Sequence, residues 1–473
     1  MNTRIATAAA TIVLAAVLAS CNVHRQQRVN ISEIASLGSI AALQAAPKEV
    51  QVERRGTRAF EVYDELTLAH VEFDDQGKFW QECEEYDRTT GTWEPSDRTQ
   101  LDALEDYVDR EIGRGSYRNG AMMIVFVHGW FNNSKEGNHN LRDFRRALEG
   151  IRADVAEDRP VLGIYLSWRG GSLMAPGAKL FSYWDRKKIA HKIGQRDLGE
   201  AVTRIAMMRQ AIIRRGERSL EKNARTRLIM MGHSFGGAAL FSASSRFLED
   251  ELIALEKSNY RGHIKRRWDL LILANPAFEA LRYEAVDRYT TNMMMAMRDG
   301  VRPGKYSQLP RVLVASARND RPNQVAMPIG QTAANVFEAR QPFEWPLMTK
   351  SIGSYDQFHT HYLDLVDTPN GGEARLSPIW ESQMQKTRRD ANQRSLAAYA
   401  ADSKTREFGN RSFLDPFARV FDEPGDARTV LPCMVASVDP RIVDNHGGIW
   451  KKEFRDFLVN FLKAREAAAL RAR

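Results

Sequence analysis

The chain has 473 residues, of which 43% are hydrophobic and 27% charged, with a formal net charge of +8. That length and balance suit a globular protein with a sizeable core, built as one large domain with insertions or as two domains. They exclude an internal membrane span, since past the N-terminus no apolar run approaches the roughly 18 residues a spanning helix needs. The basic clusters Arg214-Arg215 and Lys265-Arg266-Arg267 are short and lack interleaved aromatics, so they read as solvated faces and no nucleic-acid partner is expected.

The N-terminus reads as a targeting segment. Arg4 supplies a positive start, Ile5 to Val17 is apolar and Ala-rich, and Leu18-Ala19-Ser20-Cys21 places small residues just before a Cys. This pattern resembles the lipobox of bacterial lipoproteins. The resemblance implies that residues 1–20 are a signal peptide and that Cys21 is lipidated, anchoring the protein to a membrane surface in the cell envelope without spanning it. Asn22 in second place resembles outer-membrane sorting, on the periplasmic side. Removing Arg4 with the leader leaves a charge of about +7. Two further cysteines remain, Cys83 and Cys433, and the export route permits a disulfide between them. No Cys/His cluster has zinc spacing, so no metal is expected.

Residues 21–116 read as a tether followed by a flank. Asn22 to Arg58 is polar, then Ala-rich, with little periodicity. Leu66 to Trp80 alternates around the turn signal Asp74-Asp75-Gln76-Gly77 and predicts a hairpin. Leu101, Leu104, Tyr107, Val108 and Ile112 make a helical stripe. Ala121 to Val127 is a continuous apolar run, the pattern of a strand buried on both faces of a parallel sheet, and it ends in His128-Gly129-Trp130-Phe131. A helix follows on Leu141, Phe144 and Leu148, then a strand from Val161 to Trp168. One long basic amphipathic helix is expected within Phe181 to Arg215.

Leu228 to Met231 is the next strand, and it runs into Gly232-His233-Ser234-Phe235-Gly236-Gly237 ahead of a small-residue helix. A strand that turns at once into a helix leaves its corner residue strained and outward-pointing, with neighbours that must be nearly bare. The helix N-terminus behind Ser234 offers free N–H groups to a developing anion. Leu270 to Ala274 is a further strand, followed by Asn275-Pro276-Ala277. The Met293 to Met297 stripe suits core or an acyl-chain surface. Val312 to Ala317 runs into Arg318-Asn319-Asp320. A long stretch with Trp345, Phe358, Trp380 and Phe408 precedes the last strand, Met434 to Val438. His446 then sits in a loop before a terminal helix on Phe454, Phe457, Leu458 and Phe461.

Alternating strands and helices predict an α/β fold with a doubly wound, mostly parallel sheet and its function at the carboxyl ends of the strands. The ordered set of strand–His-Gly-Trp, strand–Gly-His-Ser-Phe-Gly, strand–Asp and loop-His–helix resembles the α/β-hydrolase superfamily, esterase and lipase type. The resemblance covers residues 117–473, with about 330–430 as a cap or lid. It implies Ser234 as nucleophile, His446 as base and Asp320 as the acid that orients it. The oxyanion would be held by backbone N–H groups of Phe235 and of Trp130 or Phe131. His361, beside His359, is the alternative base. The implied activity is hydrolysis of a small-molecule or lipid carboxylic ester without cofactor. Transfer of the acyl group to another acceptor, and an inactive hydrolase-fold envelope binding protein, are the alternatives.

Overall fold

The six apolar runs expected as buried strands lie side by side in one sheet. The computed structural model describes residues 25–378, apart from 33–35, 65, 172–178, 219–223, 262–265, 299–300, 302, 305–308, 336–337, 340–343 and 369–370, together with residues 431–471. The signal peptide and Cys21 therefore lie outside the described residues.

The strands are β1 (Phe60–Tyr63), β2 (Leu66–Phe73), β3 (Cys83–Asp87), β4 (Thr92–Ser96), β5 (Met122–Val127), β6 (Val161–Trp168), β7 (Arg227–His233), β8 (Leu270–Ala274), β9 (Val312–Ala317), β10 (His361–Thr368), β11 (Gly371–Pro378) and β12 (Cys433–Val438). The helices are α1 (Ile40–Ala45), α2 (Lys48–Arg55), α3 (Gln100–Arg114), α4 (His139–Asp154), α5 (Lys179–Gly194), α6 (Asp197–Ala211), α7 (Phe235–Lys257), α8 (Glu284–Arg298), α9 (Met327–Ala334), α10 (Glu344–Thr349) and α11 (Lys452–Arg471). Ten strands form the main sheet in the order β1-β2-β6-β5-β7-β8-β9-β12-β10-β11. Every pairing from β2 to β10 is parallel, and only the two edge pairs, β1 with β2 and β10 with β11, are antiparallel.

Both faces of the sheet are covered, which is why its inner strands read as unbroken apolar runs. Along β5, Met123, Val125 and Val127 pack into one core with residues of α3, α6, α7 and α8. Met122, Ile124 and Phe126 pack into the other with residues of α1, α4 and α11. The protein is thus α/β with a large, mostly parallel central sheet.

Several expectations are corrected here. Leu66 to Trp80 turns back as expected, with Phe73 bridged to Phe79 and Trp80 N donating to Glu72 O at 3.0 Å, but its first arm belongs to the main sheet: β2 pairs along its whole length with β6 and through Leu66 to Ala69 with β1. The long basic helix is broken into α5 and α6 where that turn docks: Asp197 N donates to Gly77 O at 3.1 Å, and Phe79 N donates to the Asp197 carboxylate at 2.8 Å. Cys83 and Cys433 are buried free thiols, not a disulfide. Within the expected cap, β10 and β11 prolong the sheet beyond β12 rather than forming a lid. Residues 379–430 of that cap lie outside the described residues.

From Gln26 onward the expected tether is built into the body. The backbone N–H groups of Gln27 and Arg28 donate to the Glu72 carboxylate at the end of β2, at 3.0 and 2.8 Å. Arg28 is fully buried, donating to Ser134 O at 2.9 Å and to Glu136 at 2.9 Å. Arg145 grips Glu61 through Nε and Nη2, one edge of its guanidinium, at 2.8 and 2.6 Å. Burial opposes ionisation of Glu61, yet Arg145, His70 and Arg28 hold its carboxyl well below the usual range. A buried pair of this kind is costly to break, by about 3–5 kcal/mol, because the surviving charge is stranded.

Candidate active site

β5, β7, β9 and β12 deliver Trp130, Ser234, Asp320 and His446, all of them past carboxyl ends. β7 passes directly into α7, with Ser234 as the corner at φ 56°, ψ −123°. A non-glycine residue in that region is strained by about 1–3 kcal/mol and persists only where its surroundings hold it. Here Ser234 N donates to Ala274 O at 3.1 Å, while Ser234 O accepts from Ala238 N and Ala277 N, each at 3.1 Å. Two glycines let neighbouring backbone close on the corner. A Cβ on Gly236 would run into the carbonyl oxygens of Val127 and His128. One on Gly129 would lie 2.8 Å from Ser234 Cβ, so the turn after β5 passes directly over Ser234.

His446 Nε2 lies 2.6 Å from Ser234 Oγ. Its Nδ1 lies 2.9 and 3.0 Å from the two carboxylate oxygens of Asp320. Asp320 is 2% exposed and also accepts from Asn323, at 3.2 Å from the backbone N and 2.8 Å from Nδ2. The geometry fixes the proton positions: Nδ1–H donates to the carboxylate, which leaves Nε2 free to accept from the hydroxyl.

The loop that carries the imidazole is held from below. His446 O accepts from His233 Nε2 and from Asn275 Nδ2, each at 2.8 Å, and Asn275 Nδ2 also reaches Asn445 O at 3.1 Å. Because a carbonyl can only accept, His233 must carry its proton on Nε2. Burial, and then the nearby His446, push the His233 pKa down to about 3, so the ring is neutral in this role. Asn275 also accepts from Ala317 N at 2.8 Å, and Asn323 Nδ2 donates to Asn275 O at 3.1 Å. Asn275 thus ties the loops after β8, β9 and β12 together.

No protein-family model, curated protein or solved structure matches this chain. The geometry alone carries the functional reading.

The three oxyanion candidates separate. Phe131 N donates to Gly170 O at 2.9 Å, so its N–H is already committed; that candidate is corrected. Among the described residues, no acceptor takes up the N–H of Trp130 or of Phe235. These flank Ser234 from the β5 turn and from the first residue of α7. The Trp130 ring stacks on Phe131 at 4.1 Å and meets Tyr183 edge-on at 5.5 Å, while Tyr183 packs on Phe235 at 4.8 Å. One flank of the site is therefore aromatic and apolar. His128 serves the turn itself: Nδ1 donates to Gly129 O at 2.9 Å and Nε2 accepts from Trp168 N at 3.1 Å.

The alternative base does not reach the site. His361 opens β10, four strands from β7, or about 19 Å at ordinary strand spacing. It is buried, with Nδ1 against Thr360 Oγ1 at 2.8 Å, and burial pushes its pKa down to about 3. His359 donates to Gly353 O at 3.0 Å. In the Met stripe, Met293 is core; the side chains of Met294, Met295 and Met297 lie outside the described residues. Among the described residues, no cluster of His, Cys, Asp or Glu is arranged to hold a metal ion. Sequence reasoning missed His233, Asn275 and Asn323 as positioning residues. For His233 and Asn275 the one signal was a polar side chain at the end of, or directly after, a buried apolar run; Asn323, six residues past β9, had none.

Proposed function

We propose that this protein is a serine hydrolase of the α/β-hydrolase type, held to an envelope membrane through Cys21, that cleaves carboxylic esters. The observation that carries the reading is the Ser234–His446–Asp320 relay, with 2.6 Å from Oγ to Nε2 and 2.9 Å from Nδ1 to the carboxylate. A lone serine hydroxyl is a poor nucleophile at neutral pH, and this arrangement supplies the base it needs together with the carboxylate that orients the base.

In the proposed reaction His446 Nε2 takes the Ser234 proton as Oγ attacks the ester carbonyl. The carbonyl oxygen becomes an oxyanion facing the N–H groups of Phe235 and Trp130. Each such donor is typically worth about 3 kcal/mol of barrier. Imidazolium His446 then protonates the departing alcohol, leaving an acyl-Ser234 ester. Water, deprotonated by the same nitrogen, attacks that ester; the acyl–Oγ bond breaks, the imidazolium returns the proton to Ser234 Oγ, and the carboxylic acid is released. Asp320 stays ionised throughout and stabilises the imidazolium.

Labelling by a fluorophosphonate probe tests this. Wild type is expected to label covalently and Ser234→Ala to lose all labelling while keeping its thermal midpoint. Absence of labelling in well-folded wild-type protein would reject the hydrolase reading.

A further inference from the structure

We propose that the rim formed by the carboxyl ends of the strands, bearing Phe131, Val325 and Ile329, is the face this protein lays on an anionic phospholipid bilayer. The first observation is an inverted segment beside the site. Pro322 to Asn335 contains no charged residue in a chain that is 27% charged. It starts two residues after Asp320 and continues into α9. Asn323, Met327 and Gln331, spaced by four, form its buried side. On the outward side, where a water-facing helix carries polar residues, stand Val325 at 55% and Ile329 at 67% exposure, also four apart and so on one face. Phe131, 40% exposed at φ 62°, stands on the same rim after β5.

Cations accompany these apolar groups. Arg25, Lys135 and Arg321 are exposed, and none is ion-paired among the described residues. Arg321 adjoins the uncharged segment. Lys135 follows Ser134, whose hydroxyl donates to Glu72 at the end of β2. Aliphatic and aromatic prongs with basic residues beside them are the composition of a surface that sits at the headgroup boundary of an anionic membrane.

The third observation is where the chain leaves the body, and this leg rests on the lipidation of Cys21 proposed above. Gln27 and Arg28 are pinned to Glu72, so the segment leading back to Cys21 departs from this same rim. From Cys21 to Gln26 the chain can span at most about 18 Å. The nucleophile strand β7 is three strand spacings from β2, about 15 Å along the rim. The opposite end of the sheet is about 26 Å further down an eight-residue strand, beyond that reach. A short anchor therefore holds the carboxyl-end rim, with the site in it, against the bilayer.

The test uses the full chain with a single environment-sensitive fluorophore on Ile329→Cys, and on Met207→Cys as control. Met207 is 64% exposed on α6, ten residues or about 15 Å along the helix from the docked turn at Asp197. Cys83 and Cys433 are buried and do not compete for label. On vesicles of phosphatidylethanolamine and phosphatidylglycerol, the label at 329 is expected to shift to the blue and to be quenched at least threefold more by bilayer-borne spin labels than the label at 207. Equal quenching at both positions, or an aqueous spectrum at 329, overturns the proposal. The mass of the same preparation reports whether Cys21 is acylated. A Cys21→Ser chain, which carries no competing thiol, must still float with phosphatidylglycerol vesicles and show the same contrast at low salt; failure to do so also overturns it. None of these readouts needs turnover, so a Ser234→Ala background gives the same answer and keeps this test separate from that of the hydrolase reading.

Discussion

The His446 imidazole is fixed at three points. Asp320 orients its ring, Ser234 receives its free nitrogen, and His233 with Asn275 clamps the carbonyl of its own peptide. The His233 ring and the Asn275 amide hydrogen-bond to the His446 carbonyl and not to Ser234 Oγ, so their effect is on position. Misplacement of a reacting group by about 1 Å can cost about 100-fold in rate. His233→Ala is accordingly expected to lower kcat by about 10- to 100-fold on a soluble ester with little change in KM. His233→Gln, which can restore an N–H to the carbonyl, is expected to recover part of the loss. An equal fall for both variants that follows only a lower thermal midpoint would reduce His233 to a packing role.

At the scale of elements, the site depends on how closely the start of α7 lies against the end of β5. Gly236 is the contact, since a side chain there would meet backbone carbonyl oxygens that cannot rotate away. Gly236→Ala is expected to destabilise the fold by about 1–3 kcal/mol, read from denaturant midpoints, and to abolish labelling of Ser234 even where the protein stays folded. The segment after β9 acts differently, since its outward residues Val325 and Ile329 are largely exposed. Replacing Val325 and Ile329 together by Asp is expected to leave hydrolysis of a soluble short-chain ester within about twofold, surface substitutions being close to neutral in stability. The same pair should lower hydrolysis of an ester carried in anionic vesicles by at least tenfold. Equal rates on the two substrates would remove the segment from substrate delivery.

Across the whole molecule, burial holds histidines neutral. His191, His233 and His361 are each pushed down to about 3, with burial the leading cause. Above pH 6.5 both folded and unfolded chains keep them neutral, and stability does not depend on them. Below it the unfolded chain takes up protons that the folded chain refuses, so each histidine removes stability by up to about 1.4 kcal/mol per pH unit between about 6.5 and 3. His361 is remote from the site, so His361→Gln isolates one such proton. The variant's stability is expected to fall less steeply than wild type's between pH 6.5 and 4, with parallel curves above pH 7. Identical slopes in urea titrations across that range would show that His361 does not titrate as its burial requires.

The α/β alternation, the inner strands, and Ser234 and Asp320 of the proposed relay were legible in the sequence. Each is a local pattern: apolar runs of strand length, a glycine-flanked serine between strand and helix, a polar residue just past a buried run. The choice of His446 over His361 was open there. It was decided by strand order, since β12 lies beside β9 and β10 falls one strand further out. The clamp by His233 and Asn275 joins residues some 170 to 210 positions apart, and the spent N–H of Phe131 depends on Gly170. No period or local motif encodes such contacts. Arg28 likewise read as part of a polar lead-in, and became core only because Glu136 and the Ser134 carbonyl converge on it. Local sequence determined which segments are strands and which side chains stand at their ends. Only the closing of the sheet decided which of those ends meet, because hydrogen bonds and burial join residues through space.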